Sequence, residues 1–219
     1  MPNTIPDPIH AAAQRDPEAP AVIGPEGTWT YADLDRRVET AARALADRGI
    51  EAGDRVATYL PRTPAHIAVL MAVLRQGAVA APLSTRLPAA QVPARLRQIQ
   101  AQGLVTDDDH LLEQGGGPRY RLSAIAASES RDAPGEGRLL PLHRPATIVF
   151  TSGSTGTPKA ALHTLGNHYY SATGSATNIP LKAGDRWLLS LPLYHVGGLA
   201  IGFRCVLAGA GIVLPASAL

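Results

Sequence analysis

The stretch ATIVFTSGSTGTPKAALH holds the densest chemistry in the sequence. An apolar, β-branched run from Ala146 to Phe150 stops at six small residues, Thr151 to Gly156, and a lysine follows at position 159. Gly153 and Gly156 can take backbone conformations closed to other residues, which lets successive N–H groups approach an anion. Thr151, Ser152, Ser154 and Thr155 add four hydroxyls, Pro158 stiffens the far side, and Lys159 contributes one compact positive charge. In chemical terms this is a cradle for phosphate. It is not the Walker loop: the glycines are three apart, Lys159 lies three beyond the second, and Ala160 stands where a Ser or Thr would ligate magnesium. The rival reading is a flexible Ser/Thr/Gly turn without a ligand.

A second candidate is His195 in LPLYHVGGL, where Gly197 and Gly198 open a helix. Taken alone, such a histidine reads as a hydrogen-bonded structural residue, and it is the tract at 151–159 that turns the reading toward a site. Arg204 is the only charged residue in the apolar helical stretch from Val196 to Leu207 and is costly to bury unpaired. Either it reaches the surface or a structural carboxylate, or it meets an anionic group of a substrate. Cys205, beside it, reads as core because no motif activates it. His163 and His168 are five apart, on different faces of a helix, with no carboxylate partner. The adjacent Asp107, Asp108 and Asp109 cannot all face one ion and read as a solvated turn. No metal site is assigned.

These residues need a scaffold, and the hydrophobic pattern supplies one. AVIGPEGTWTY sets two extended runs around Pro25-Glu26-Gly27 and predicts a hairpin. Thr30 and Asp33 form a capping-box pattern for a helix in which Leu34, Val38, Ala41, Ala42 and Leu45 keep helical spacing until Gly49. DRVATYLP predicts a buried strand, and Thr63-Pro64 supplies an N-cap and first-turn proline for a helix ending at Gly77. Ala78 to Leu83 reads as the next strand, Pro88 to Gln100 as a helix and Leu104 to Thr106 as a short strand. This alternation predicts an α/β fold with a mainly parallel sheet covered by helices. Residues 113 to 145 show little periodicity and read as a surface excursion with one short strand near Tyr120.

Composition bounds the function. At 219 residues, 45% hydrophobic and 17% charged, the chain forms one large or two small globular units rather than a disordered, collagen-like or coiled-coil chain. Twenty Lys and Arg against 18 Asp and Glu imply no nucleic-acid partner. The single cysteine rules out an internal disulfide framework and a cysteine-built zinc site. No apolar run approaches the roughly 20 residues of a membrane span. The start MPNTIPDPIH lacks the basic and apolar parts of a signal peptide, so a cytoplasmic location is expected.

FTSGSTGTPKA resembles the signature tract of the adenylate-forming (AMP-binding) superfamily of acyl-CoA synthetases, peptide-synthetase adenylation domains and luciferases, aromatic-T-S-G-S/T-T-G-x-P-K-G. It departs only at Ala160, which stands for the usual glycine. The resemblance implies that Thr151, Ser152, Gly153, Ser154, Thr155, Gly156 and Lys159 bind the β- and γ-phosphates of ATP. It also implies that His195 in the P-L-F/Y-H segment, followed by Gly197 and Gly198, walls the acyl pocket, so that Lys159 and His195 are the catalytic candidates. The strings from Gly166 to Ala172, Asp185 to Leu188 and Pro192 to Leu199 are most similar to o-succinylbenzoate-CoA ligases of menaquinone biosynthesis. That acid keeps a second carboxylate on its ring, which Arg204 is a candidate to meet.

The resemblance further implies a large N-terminal domain built on mainly parallel, doubly wound sheets with flanking helices. Residues 1–219 would be an incomplete part of it: the phosphate-loop subdomain and part of the second sheet, with the C-terminal domain absent. The family's later Y-G-x-T-E, T-G-D and C-terminal lysine motifs have no counterpart here. The implied partners are a small carboxylic acid, ATP and CoA, with magnesium held by residues outside this chain. The expected reaction is ATP-dependent adenylation of the acid and thioester formation with CoA, which this chain alone would not complete. The rivals are an adenylation domain or fatty-acyl ligase of the same superfamily, or a non-catalytic nucleotide-binding module.

Overall fold

The computed structural model describes residues 2–126, 137–151 and 158–216. The elements, in chain order, are β1 (Thr4–Pro6), α1 (Pro8–Arg15), β2 (Pro20–Gly24), β3 (Gly27–Thr30), α2 (Tyr31–Ala46), β4 (Arg55–Tyr59), α3 (Pro64–Arg75) and β5 (Val79–Pro82). A 3-10 turn (Ala89–Gln91) leads into α4 (Val92–Gln98), followed by β6 (Gly103–Thr106), α5 (Asp109–Glu113), β7 (Arg119–Tyr120), α6 (Leu122–Ala126) and β8 (Leu139–Pro141). The chain continues through β9 (Pro145–Thr151), β10 (Lys159–Thr164), α7 (Leu165–Ala176), β11 (Arg186–Leu188), α8 (Val196–Ala208) and β12 (Gly211–Val213).

A six-stranded sheet runs β10-β9-β5-β4-β6-β7, parallel throughout except for the antiparallel edge strand β10. The expected mainly parallel, helix-covered α/β fold is what forms. From β4 the chain adds β5 on one side and β6 on the other, which is double winding. A four-stranded sheet, β11-β12-β2-β3, lies apart, and β1 pairs with β8.

Period-two alternation gives the large sheet two apolar faces. Val56, Ala80, Val105 and Val149 join a core with α2, α3, α8 and the four-stranded sheet. Ala57, Ala81, Leu104 and Ile148 pack instead on Val92 and Leu96 of α4. The helices between the sheets are locked by a buried ionic cluster. Arg75 of α3 donates to Asp7 at 2.8 Å and Asp35 at 2.6 Å, and lies 3.4 Å from Glu39.

Local signals read from sequence recur as elements. The β2–β3 hairpin forms, and Thr30 and Asp33 make a reciprocal capping box. Two readings change. His163 sits on β10 and only His168 on a helix, because the residues after Lys159 fold back as a strand against β9. The described part of 113–145 is also more ordered than a surface excursion: Ile125 of α6 is fully buried and β8 is paired. Elements of three to five residues are too short to show a period. Among the described residues no helix is long and apolar enough to cross a membrane.

Candidate functional site

The site is built where parallel strands end. β5 delivers Pro82, Leu83 and Ser84 at its C-terminal end, and its neighbour β9 delivers Phe150 and Thr151 at the same edge. In doubly wound sheets ligands bind at this edge, because loops fan out there above the strand ends. The β9–β10 ladder closes on the pair Thr151 and Lys159, and the Thr151 hydroxyl donates to the Lys159 carbonyl at 3.5 Å. Both residues are exposed. Ser152, Gly153, Ser154, Thr155 and Gly156 lie outside the described residues, between these two flanks.

His195 arrives from the other side as the N-cap of α8. Its backbone makes a tight turn: its N–H donates to Pro192 O at 3.1 Å, and its carbonyl accepts from Gly198 N–H at 3.0 Å and Leu199 N–H at 3.2 Å. Gly198 is required for that turn, since a Cβ there would lie 2.1 Å from the Pro192 carbonyl oxygen. At Gly197 the neighbour would be the movable end of Leu191. Gly197 and Gly198 thus shape the backbone that presents His195. The imidazole is exposed, with the Tyr194 ring 4.7 Å away.

The two arms meet. Phe150 and His195 line one cavity of about 210 Å³ together with Pro82, Ser84, Arg86 and Tyr194. A second cavity of about 360 Å³ shares Arg86 and Tyr194 and continues past Leu60, His66 and Leu214. Arg86 was not singled out in the sequence; only its place directly after β5, a strand ending at the ligand edge, could have marked it.

Supporting groups behind the site are neutral and buried. His168 lies face to face with Phe203, centroids 4.2 Å apart, and its Nε2 is 2.8 Å from the Thr147 hydroxyl in β9. Burial, reinforced by His163, pushes its pKa down to about 4. His66 Nδ1 donates to Pro61 O at 3.1 Å, so its Nε2 accepts from the Thr58 hydroxyl at 2.8 Å; burial pushes it down to about 4 as well.

Arg204 is not brought to His195. The first turn of α8 is regular, so nine residues carry Arg204 about half a turn out of phase. It lies over Trp187, 5.5 Å from the ring centroid, in a separate cleft with Ala172, Thr173, Leu181 and Leu207. Cys205 is fully buried, and burial pushes its thiol up to about 12. Asp108 caps α5, Asp107 accepts from Leu122 N–H, and Asp109 pairs with Arg121. Among the described residues no three His, Cys, Asp or Glu side chains come together to hold a metal.

The model of the family described as "AMP-binding enzyme" matches residues 9–219. The 2-succinylbenzoate–CoA ligase of Bacillus cereus is 32% identical over 98% of this chain and 44% of its own length. That of Geobacillus kaustophilus is 34% identical, with the same coverage of 98% and 44%. The structure of o-succinylbenzoate CoA synthetase from Bacillus subtilis with its acyl-adenylate intermediate aligns at a TM-score of 0.87 and 29% identity, over 97% of this chain and 44% of that one. The same enzyme in complex with ATP and magnesium ion gives 0.86 and 29%, over 97% and 58%. The chain thus spans less than half the length of these curated relatives, and on the match from residue 9 to residue 219 it belongs to the AMP-binding enzyme family.

Proposed function

We propose that this chain is part of the N-terminal domain of an acid-CoA ligase that adenylates o-succinylbenzoate with ATP and then transfers the acyl group to CoA, in menaquinone biosynthesis. The observation that carries the reading is the single cavity shared by Phe150 and His195. One wall ends in the phosphate-loop flank and the other in the segment expected to face the acid, so both reactants of an adenylation can meet there. The names of the relatives support the choice of acid.

In this reading the acid's carboxylate attacks the α-phosphorus in line and pyrophosphate leaves. Lys159, at the far flank of the tract, faces the departing phosphates and offsets their charge, and Thr151 offers its hydroxyl from the opposite flank. The remaining hydroxyl and N–H donors come from Ser152 to Gly156. His195 and Tyr194 form the wall beside the acid and limit how it turns, which is positioning rather than covalent chemistry. Magnesium, when bound, offsets phosphate charge, and its ligands are expected from residues outside this chain. CoA enters only after the adenylate has formed.

The test is acid-dependent ATP–pyrophosphate exchange by the protein containing the family's full length. Exchange with o-succinylbenzoate well above benzoate and fatty acids supports the reading. Preference for another acid would move it to a fatty-acyl ligase or adenylation domain, and nucleotide binding without exchange would leave a binding module. Residues 1–219 alone are expected to give no turnover.

A further inference from the structure

Helix α4 touches both flanks of the phosphate tract. Its Arg95 guanidinium lies over the Phe150 ring, 5.7 Å from the centroid, one residue before Thr151. Its last residue, Gln98, donates from Nε2 to the Pro158 carbonyl at 2.7 Å, one residue before Lys159. The two contacts are joined, since Arg95 Nη1 donates to Gln98 Oε1 at 3.1 Å. Only one orientation of the Gln98 amide satisfies both bonds.

The consequence follows from peptide geometry. The Pro158 carbonyl, the Lys159 N–H and the Lys159 Cα share one rigid plane, so holding that carbonyl sets where Lys159 enters the β9–β10 ladder, and the ladder sets the course of its side chain. Pro158 has no N–H of its own to anchor. On the other flank, a stacked Phe150 fixes the start of Thr151. The helix making these contacts is itself seated by buried Val92 and Leu96 against the sheet. A cation acts on a leaving group only if it is already in place, since reorganisation at the moment of reaction cancels its benefit.

We propose that Arg95 and Gln98 are positioning residues, a clasp that sets Thr151 and Lys159 for the departing pyrophosphate. This rests on the adenylation reading above. Neither residue is a catalytic group. Arg95 acts through Phe150 and Gln98, and Gln98 acts through Pro158.

In the full-length protein, Gln98→Met and Arg95→Met should each raise the KM for ATP in pyrophosphate exchange about two- to tenfold, the range for one lost hydrogen bond. The KM for the acid should not change. The double variant should be no worse than about the larger single effect, because the two side chains act as one unit. Arg95→Lys keeps the charge but not the planar fork, so it should rescue only in part. Equal rises in both KM values, no rise in either, or full rescue by lysine would overturn the clasp. A second measurement does not depend on turnover: in the full-length protein, amide hydrogen exchange at the start of β10 should quicken about tenfold in Gln98→Met, the effect of one lost hydrogen bond. Unchanged exchange there overturns the clasp even if the ligase activity is real. If the full-length protein shows no pyrophosphate exchange, the functional reading fails while this arm still decides the clasp.

Discussion

Thr151 and Lys159 stand opposite each other as the last pair of the β9–β10 ladder, with the Thr151 hydroxyl 3.5 Å from the Lys159 carbonyl. The two residues that flank the tract are therefore tied by backbone pairing, although seven residues separate them in the chain. The sheet edge, and not the loop, decides where the lysine starts.

If Lys159 offsets the charge of pyrophosphate, Lys159→Ala in the full-length protein should lower acid-dependent pyrophosphate exchange by about 10²-fold, with thermal stability unchanged because the side chain is exposed. Thr155→Val should weaken the same step. Unchanged exchange in both would give the tract another purpose.

Gly198 and Gly197 separate steric need from helix preference. Gly198→Ala must displace the Pro192 carbonyl, so a loss of about 1–3 kcal/mol is expected, together with reduced activity as His195 moves. Gly197→Ala meets only the end of Leu191, and alanine's better helix propensity, about 1 kcal/mol, offsets that contact. Urea unfolding of the two variants distinguishes them.

The local scaffold was legible in the sequence where one residue type performs one task. Thr30 and Asp33 announced their capping box, and Thr63 and Pro64 announced the start of α3. What stayed hidden depends on partners far apart in the chain. Arg75, Asp7, Asp35 and Glu39 come from three separate segments, and no spacing rule links them. Gln98 reaches Pro158 across 60 positions. Elements such as α6 and β8 are held by tertiary contacts rather than by a period of their own.

Breaking the buried cluster should be costly. The Arg75 side chain is 3% exposed, and although burial opposes its charge, Asp7 and Asp35 hold its pKa up. Arg75→Met leaves Asp7 buried without its guanidinium partner, and Asp35 with His10 at 3.0 Å in its place, and should cost about 3–5 kcal/mol. A loss under about 1 kcal/mol in urea unfolding would show the cluster to be better solvated than its burial implies.

His66 and His168 make the fold sensitive to acid. Both are neutral when buried, with pKa values near 4, while in the unfolded chain they take up protons near pH 6.5. Between those values the unfolded state binds more protons. Stability is therefore full above pH 6.5 and falls as the pH drops toward 4, by up to about 3 kcal/mol for each histidine. His66→Gln and His168→Gln should each flatten the slope measured between pH 7 and pH 4.5.

The last expectation concerns the second carboxylate of the proposed acid. Arg204 is the one cation in the apolar stretch of α8, yet it faces Trp187 and the cleft toward α7, whereas His195 lines the cavity with Phe150. Turning it toward His195 would need an irregular first turn in α8, and the bonds from Gly198 and Leu199 to the His195 carbonyl show a regular one. A guanidinium stacked on an indole is held partly by the ring's negative face and partly by packing of its stem. Arg204→Leu should therefore cost about 1 kcal/mol of stability and leave the ratio of kcat/KM for o-succinylbenzoate to that for an analogue without the ring acid unchanged. A selective loss for the dicarboxylate would instead place Arg204 at the acid, and would require α8 to shift when the substrate binds.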